Sequence, residues 1–105
     1  MVVTFEEEYL KDLYEKGKCS DKKHRYQPQV ISKYQRRVET LLSVSSPEKL
    51  YQFNSLNFEA LRGDKEGRFS IRIDIKYRVE FTLNTECEEP LLIICNIVEI
   101  SNHYD

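Results

Sequence analysis

The spacing of apolar residues predicts two helices in the first half of the chain. Residues 2–5 form a short apolar strand, and from Glu6 the apolar positions follow the i, i+1, i+4, i+5 pattern of a helix that Gly17 ends. Pro28 begins the second helix. Its buried stripe recurs at steps of three and four and comprises Val30, Ile31, Tyr34, Val38, Leu41 and Leu42.

The second half of the chain alternates apolar and polar residues, which is typical of half-buried strands. The first such run faces inward through Phe69, Ile71, Ile73 and Ile75 and outward through Ser70, Arg72, Asp74 and Lys76. Residues 77–83 alternate again, and a glutamate-rich stretch up to Pro90 predicts a hairpin loop. Residues 91–100 are apolar on both faces, which predicts a central strand.

These elements predict an α+β fold in the order β-α-α-β-β-β. Two N-terminal helices pack on one face of a twisted antiparallel sheet, and the opening strand lies at an edge of the same sheet. The alternation leaves a polar face open on the other side, formed by Ser70, Arg72, Asp74 and Arg78.

Length and composition indicate a single domain over residues 1–105. Three cysteines, Cys19, Cys87 and Cys95, are odd in number and have no Cys-x-x-Cys spacing, so neither a disulfide framework nor a zinc site is predicted. Cys95 is expected in the core. An acidic start without a secretory signal, and no apolar run long enough for a membrane helix, predict a soluble cytoplasmic protein without a membrane partner.

Charge is unevenly distributed although the net charge is only −2. Residues 16–37 carry eight Lys or Arg against one acid, Asp21, whereas residues 84–105 carry five acids and no Lys or Arg. Such blocks predict a polarised surface with one face for an anion. The alternative is that the basic residues form a solvated helix-loop face and the acidic residues form the tip of a hairpin.

Two segments hold candidate chemistry. Residues 61–73 place the glycines Gly63 and Gly67 around a charged turn before a strand, and Asn102, His103 and Tyr104 follow the last strand. Taken separately, the first reads as a plain hairpin loop and the second as a polar terminus.

Taken together, the two segments resemble the RelE/ParE toxin superfamily, and in particular its HigB-like branch of plasmid-maintenance killer proteins. The turn at residues 61–67 is similar to the Leu-Lys-Gly-Asp-Arg-x-Gly of that branch. The strand at residues 69–73, the aromatic-arginine pair Tyr77-Arg78 and the ending Val98-Glu99-Ile100-x-x-His103-Tyr104 extend the resemblance over nearly the whole chain.

The resemblance implies a toxin of a type II toxin-antitoxin system that cleaves messenger RNA on the translating ribosome without a metal or other cofactor. It implies catalytic roles for Arg62, Arg78, His103 and Tyr104. It also gives RNA-binding candidates on the sheet and in the basic stretch, which are Lys65, Arg68, Arg72, Lys22, Lys23 and Arg25. Expected partners are a cognate helix-turn-helix antitoxin in a hetero-oligomeric complex, the ribosome and messenger RNA.

This chain departs from the family pattern at two places. Arg62 stands where the family usually has a lysine, and arginine cannot lose its proton, so it is an electrostatic clamp rather than a base. The usual ending Asp-Tyr-His is here Asn-His-Tyr, which leaves the proton-transfer roles open. Glu59 and Glu80 are the candidates for the base.

Other functions are compatible with the same fold. One is a ParE-like inhibitor of DNA gyrase, and another is a degraded toxin that only binds its antitoxin. Paired cations near a histidine favour the nuclease. The basic stretch at residues 16–37 is expected to contact ribosomal RNA, with an acidic antitoxin segment or plain solvent as the alternatives.

Overall fold

The computed structural model describes residues 1–89 and 91–102, with only the backbone of residues 87 and 88. Within them, the two helices are α1 (Glu8–Glu15) and α2 (Pro28–Ser43). The strands are β1 (Val2–Phe5), β2 (Glu59–Ala60), β3 (Arg68–Arg72), β4 (Tyr77–Glu88) and β5 (Leu91–Asn102). Three short 3-10 helices connect α2 to β3, at Pro47–Gln52, Asn54–Leu56 and Gly63–Lys65.

The strands form one sheet in the order β1-β5-β4-β3-β2, with the helices on one face. The predicted α+β fold is therefore confirmed, with β1 at an edge and β5 paired on both sides. β1 differs from the expectation of an antiparallel sheet because it runs parallel to β5, from Val2 beside Ile94 to Phe5 beside Ile97. Alternation identifies the residues that face the core, but it carries no information about the direction of a neighbouring strand.

The core lies between the helices and the sheet. Leu10, Leu13, Tyr34, Val38 and Leu41 of the helices are buried against sheet residues that include Ile71, Val79, Phe81, Cys95 and Ile97. The burial of Cys95 confirms its predicted place in the core. Within the described residues, neither helix has the length and apolar content to cross a membrane.

Hydrogen bonds join each helix to its neighbours. The hydroxyl of Tyr34 donates to the carbonyl of Leu10 at 2.8 Å, which links α2 to α1 inside the core. The guanidinium of Arg37 donates to the carbonyls of Arg72 and Ile73 at 2.7 and 3.3 Å, where β3 ends. Arg37 is therefore half-buried and anchors α2 to the sheet.

Two apolar positions do not behave as the pattern predicted. Leu42, expected in the buried stripe of α2, is 44% exposed in the last turn of that helix. Ile75, expected to face inward, is 75% exposed because β3 ends at Arg72 and the chain turns. The carboxylate of Asp74 accepts hydrogen bonds from the backbone N–H groups of Lys76 and Tyr77, both at 2.8 Å, and this stabilises the turn.

The two neighbouring isoleucines give a matched test of this difference. Ile73→Ala should lower the free energy of unfolding by about 2–5 kcal/mol because it opens a cavity in the core. Ile75→Ala should change it by less than about 0.5 kcal/mol because its side chain is in water. Urea unfolding of the two variants measures both values, and equal losses would contradict the turn at residues 73–76.

Candidate active site on the open face of the sheet

Polar residues of four neighbouring strands form a row across the open face of the sheet. Glu59 of β2 pairs with Ser70 of β3, Ser70 with Glu80 of β4, and Glu80 with Glu99 of β5. Residues opposite one another in neighbouring strands point to the same face. We call these four residues, three glutamates and Ser70, the carboxylate row.

Arg78 lies on one side of the carboxylate row, two positions before Glu80 on β4. Its Nη1 donates to the carboxylate of Glu59 and to the hydroxyl of Ser70, the latter at 3.0 Å. The Arg78 side chain is 9% exposed, whereas that of Glu59 is 46% exposed. In the Glu59–Arg78 pair, the guanidinium is buried and held in one orientation, whereas the carboxylate is accessible to solvent. Nε of Arg78 has no hydrogen-bond partner within residues 1–89 and 91–102.

Lys65 and Arg68 lie on the other side of the carboxylate row. Nζ of Lys65 is 2.7 Å from a carboxylate oxygen of Glu80 and 3.2 Å from one of Glu99. Nη1 of Arg68 is 3.1 Å from Glu80 and 3.3 Å from Glu99. Both cations therefore share the same two carboxylates, and we call these four side chains the ion network.

The charged turn before β3 delivers Lys65 to this network. Gly63 and Gly67 have φ values of 68° and 95°, in the left-handed region that glycine adopts without strain. The 3-10 helix Gly63–Lys65 begins at the first of these glycines and ends two residues before the second. Two glycines at this spacing let the chain reverse and bring Lys65 over β4.

Glu80 stays ionised although its side chain is only 4% exposed. Burial acts to raise its pKa, but hydrogen bonds from Lys65, Ser101 and Arg68 outweigh burial and hold the pKa below its ordinary value. The same contact with Glu80 raises the pKa of Lys65. Glu80 is therefore an anchor for two cations.

A shallow pocket of about 200 Å³ lies between the Glu59–Arg78 pair and the ion network. It is lined by Glu59, Leu61, Lys65, Arg78, Glu80, Ser101 and Asn102. Charged residues from β2, the 3-10 helix Gly63–Lys65 and β4 thus meet in one place. Such a group of charged residues in a concave site is typical of a functional site.

The structure separates the predicted site residues into three groups. Arg78 and Lys65 line the pocket, and Arg68 contacts Glu80, which lines it as well. Arg62 is exposed just before the 3-10 turn and has no ion-pair partner among the described residues. Arg72 lies opposite Arg78 on β3 and is half-buried.

The predicted residues of the basic stretch lie away from the pocket, in the connector between α1 and α2. Lys22, Lys23 and Arg25 are exposed there. Arg25 borders a separate groove with Tyr26 and Tyr77, whose rings meet edge to face at 5.4 Å. His103 and Tyr104 lie outside the described residues.

Glu99 is the site residue that sequence reasoning missed. It is the only acid within the apolar run at residues 91–100, which marks it as an outward-facing position. Its pairing with two cations depends on the register between β4 and β5, which the pattern alone does not give.

Removing the Glu80 charge tests its role as an anchor. Glu80→Gln should lower the free energy of unfolding at pH 7 by about 1–2 kcal/mol, because Lys65 and Arg68 lose a buried partner but keep water and Glu99. Because the folded-state pKa of Glu80 is lowered, its contribution is complete above the ordinary value of 4.5 and is lost as pH falls through the folded-state value. Urea unfolding of wild type and variant between pH 7 and pH 3 measures this difference.

The matched control for that measurement is Glu66→Gln, which removes an exposed carboxylate of the same turn. It should change the free energy of unfolding by less than about 0.5 kcal/mol at any pH in this range. A Glu80→Gln effect that is small at pH 7, or that grows on acidification, would contradict the anchor role.

Comparison with known proteins supports the resemblance found in the sequence. The family model for the RelE-like toxin HigB of type II toxin-antitoxin systems matches residues 3–92. The YoeB/ParE toxin from Agrobacterium tumefaciens has a TM-score of 0.56 and 15% identity, with 99% of this chain and 100% of that chain covered. YafQ from E. coli strain BL21(DE3) has a TM-score of 0.61 and 10% identity, with 97% and 92% covered.

At these identities the two solved structures support the fold alone, and no curated protein matches the sequence. The family match, in contrast, extends over most of the chain. This protein therefore belongs to the HigB-like family, the RelE-like toxins of type II toxin-antitoxin systems.

Proposed function

We propose that this toxin is a metal-independent endoribonuclease that cleaves messenger RNA on the translating ribosome. The observation that carries the proposal is the Glu59–Arg78 pair, in which an exposed carboxylate meets a buried guanidinium beside a pocket. RNA cleavage by the ribose 2′-hydroxyl needs a base for that proton, a cation for the charge on phosphorus, and an acid for the leaving 5′-oxygen.

Glu59 fits the role of the base better than Glu80 does. Its side chain is 46% exposed at the pocket, so a ribose hydroxyl can reach it. Glu80 is only 4% exposed, so a ribose hydroxyl has little access to its oxygens, and proton uptake there would break contacts with two cations, Lys65 and Arg68, rather than one. A base must come within hydrogen-bond reach of the proton that it removes, and among these two carboxylates Glu59 offers that access.

Arg78 fits the role of the phosphate cation. Ser70 and Glu59 already orient its guanidinium, so little reorganisation is needed when negative charge develops on the phosphate. Arginine keeps its proton at any physiological pH, so Arg78 acts by charge and hydrogen bonding. A substrate phosphate at Arg78 would also bring the 2′-hydroxyl close to Glu59.

The acid for the leaving oxygen is assigned to His103 or Tyr104 through the family resemblance. Asn102, which directly precedes them in the sequence, lines the pocket. Histidine exchanges protons near neutral pH, and a tyrosine can stack on a base or donate from its phenol.

The remaining cations would contact RNA by charge. Arg62 is exposed beside the turn and Arg72 lies next to Arg78 on the sheet, so both suit phosphate contacts along the substrate. Exposed Lys22, Lys23 and Arg25 suit ribosomal RNA on a different side. The toxin would act in the cytoplasm, and a helix-turn-helix antitoxin would bind it in a hetero-oligomer and hold it inactive.

The nuclease is tested by messenger RNA cleavage in a reconstituted translation reaction, with and without ribosomes. Glu59→Gln should lower the cleavage rate by about 10²–10⁴-fold because it removes the base. Arg78→Gln should lower it by about 10²–10³-fold because it removes the cation. His103→Ala and Tyr104→Phe, compared in the same reaction, identify the acid.

Lys49→Gln is the control, because it removes an exposed cation from the 3-10 helix Pro47–Gln52. It should cleave like the wild type. Full cleavage by Glu59→Gln would remove Glu59 as the base. No cleavage by the wild type with ribosomes would remove the nuclease, and a DNA supercoiling assay would then test gyrase inhibition.

Contact between the basic connector and the ribosome is tested by co-sedimentation. Replacing Lys22 and Lys23 by Glu should weaken ribosome binding by tenfold or more at low salt, because charge reversal puts a carboxylate against phosphate, and Arg25→Glu should weaken it further. Replacing Lys11 and Lys49 by Glu changes the net charge equally at exposed positions outside the connector. Equal losses in both pairs would refute a specific contact and indicate a net-charge effect.

A further inference from the structure

The two carboxylates of the ion network differ in how firmly they are held. Glu80 is 4% exposed and lies 2.7 Å from Lys65 and 3.1 Å from Arg68. Glu99 is 37% exposed and lies farther from the same two cations, at 3.2 and 3.3 Å. Glu80 therefore is the fixed partner of both cations, and Glu99 is the one that can exchange with solvent.

Exchange of Glu99 would leave two oriented cations open to another anion. Lys65 and Arg68 are 44% and 33% exposed, and Glu80 would still hold both in place. An ammonium has three donors and a guanidinium five, so each cation can bind Glu80 and a second anion together. A phosphate oxygen accepts the same charge-assisted hydrogen bonds as a carboxylate oxygen.

We propose that Lys65 and Arg68 form a second phosphate subsite, which Glu99 occupies in the free protein and an RNA phosphate takes over on binding. Resting on the proposed RNA substrate, this inference gives Glu99 a role as an internal competitor. Glu80 is then a positioning residue that keeps both cations in place when Glu99 leaves.

The position of this subsite relative to Arg78 suits consecutive phosphates of one RNA strand. Arg78 and Glu80 are two residues apart on β4, a distance of about 7 Å along an extended strand. Neighbouring phosphates of an extended nucleic-acid chain have a comparable separation. An RNA whose reacting phosphate contacts Arg78 would therefore bring the adjacent phosphate to Lys65 and Arg68.

Internal competition predicts that removing the Glu99 charge strengthens RNA binding. The probe is a single-stranded RNA of about ten nucleotides with every 2′-hydroxyl methylated, so that it cannot be cleaved. Glu99→Gln should lower its Kd by about two- to fivefold at physiological salt, because binding no longer breaks two partly exposed ion pairs. Glu80→Gln, in contrast, should raise the Kd because the cations lose their anchor.

Two controls separate this effect from net charge and from misfolding. Glu66→Gln removes an exposed carboxylate of the same turn and should change the Kd by less than about 1.5-fold. In an Arg68→Gln or a Lys65→Gln background, the gain from Glu99→Gln should shrink, because one of its two cations is absent. Thermal unfolding shows which variants are folded. If one of the two backgrounds does not fold, the other is sufficient for the test.

The outcomes distinguish this inference from the proposed nuclease. Tighter binding by Glu99→Gln without any cleavage activity would support the subsite and remove the nuclease. Cleavage by the wild type with no gain from Glu99→Gln would retain the nuclease and overturn the subsite. A gain that persists undiminished in both backgrounds, or no RNA binding by either protein, would also overturn it.

Discussion

The register of strands β2 to β5 is the constraint on which the site depends. It places Glu59, Ser70, Glu80 and Glu99 in one row on the open face. A slip of one residue in any strand would turn its polar members toward the helices and its apolar members into water. The apolar residues that alternate with this row fill the core, so the packing under the helices also fixes the charges on the other face.

Cations and carboxylates pair across this face, which explains how a cluster of Lys and Arg fits a chain of net charge −2. Arg78, Lys65 and Arg68 each have a carboxylate partner in the row. Without these partners, three cations close together would repel one another and destabilise the sheet. Under the proposed function, an incoming phosphate would compete with the protein's own carboxylates, and exposed partners would yield more readily than buried ones.

Much of this arrangement follows from sequence patterns, and the remainder depends on contacts between distant segments. Alternation in residues 69–83 is enough to assign Ser70, Arg72 and Arg78 to the open face, and two glycines are enough to predict the turn that carries Lys65.

The ion-pair partners of Arg78 and Lys65 cannot be predicted from the sequence pattern. Glu59 lies in a strand of only two residues, which is too short to show an alternating pattern of apolar and polar residues. The pairing of Glu80 with Glu99 depends on the register between β4 and β5. Ile75 was misplaced because the Asp74 turn interrupts a pattern that continues in the sequence.

Under the proposed function, the same geometry explains how the site could work with an arginine at position 62. The resemblance assigns a lysine to this position, and a lysine can serve in proton transfer, whereas an arginine cannot. Arg62 is exposed and has no ion-pair partner among residues 1–89 and 91–102, so its charge is directed at solvent rather than at the carboxylate row. Glu59 provides a carboxylate at the pocket that is both accessible and held by Arg78. In the proposed mechanism, proton removal thus moves from the turn to β2, next to the cation that we propose binds the reacting phosphate, and the turn keeps a purely electrostatic role.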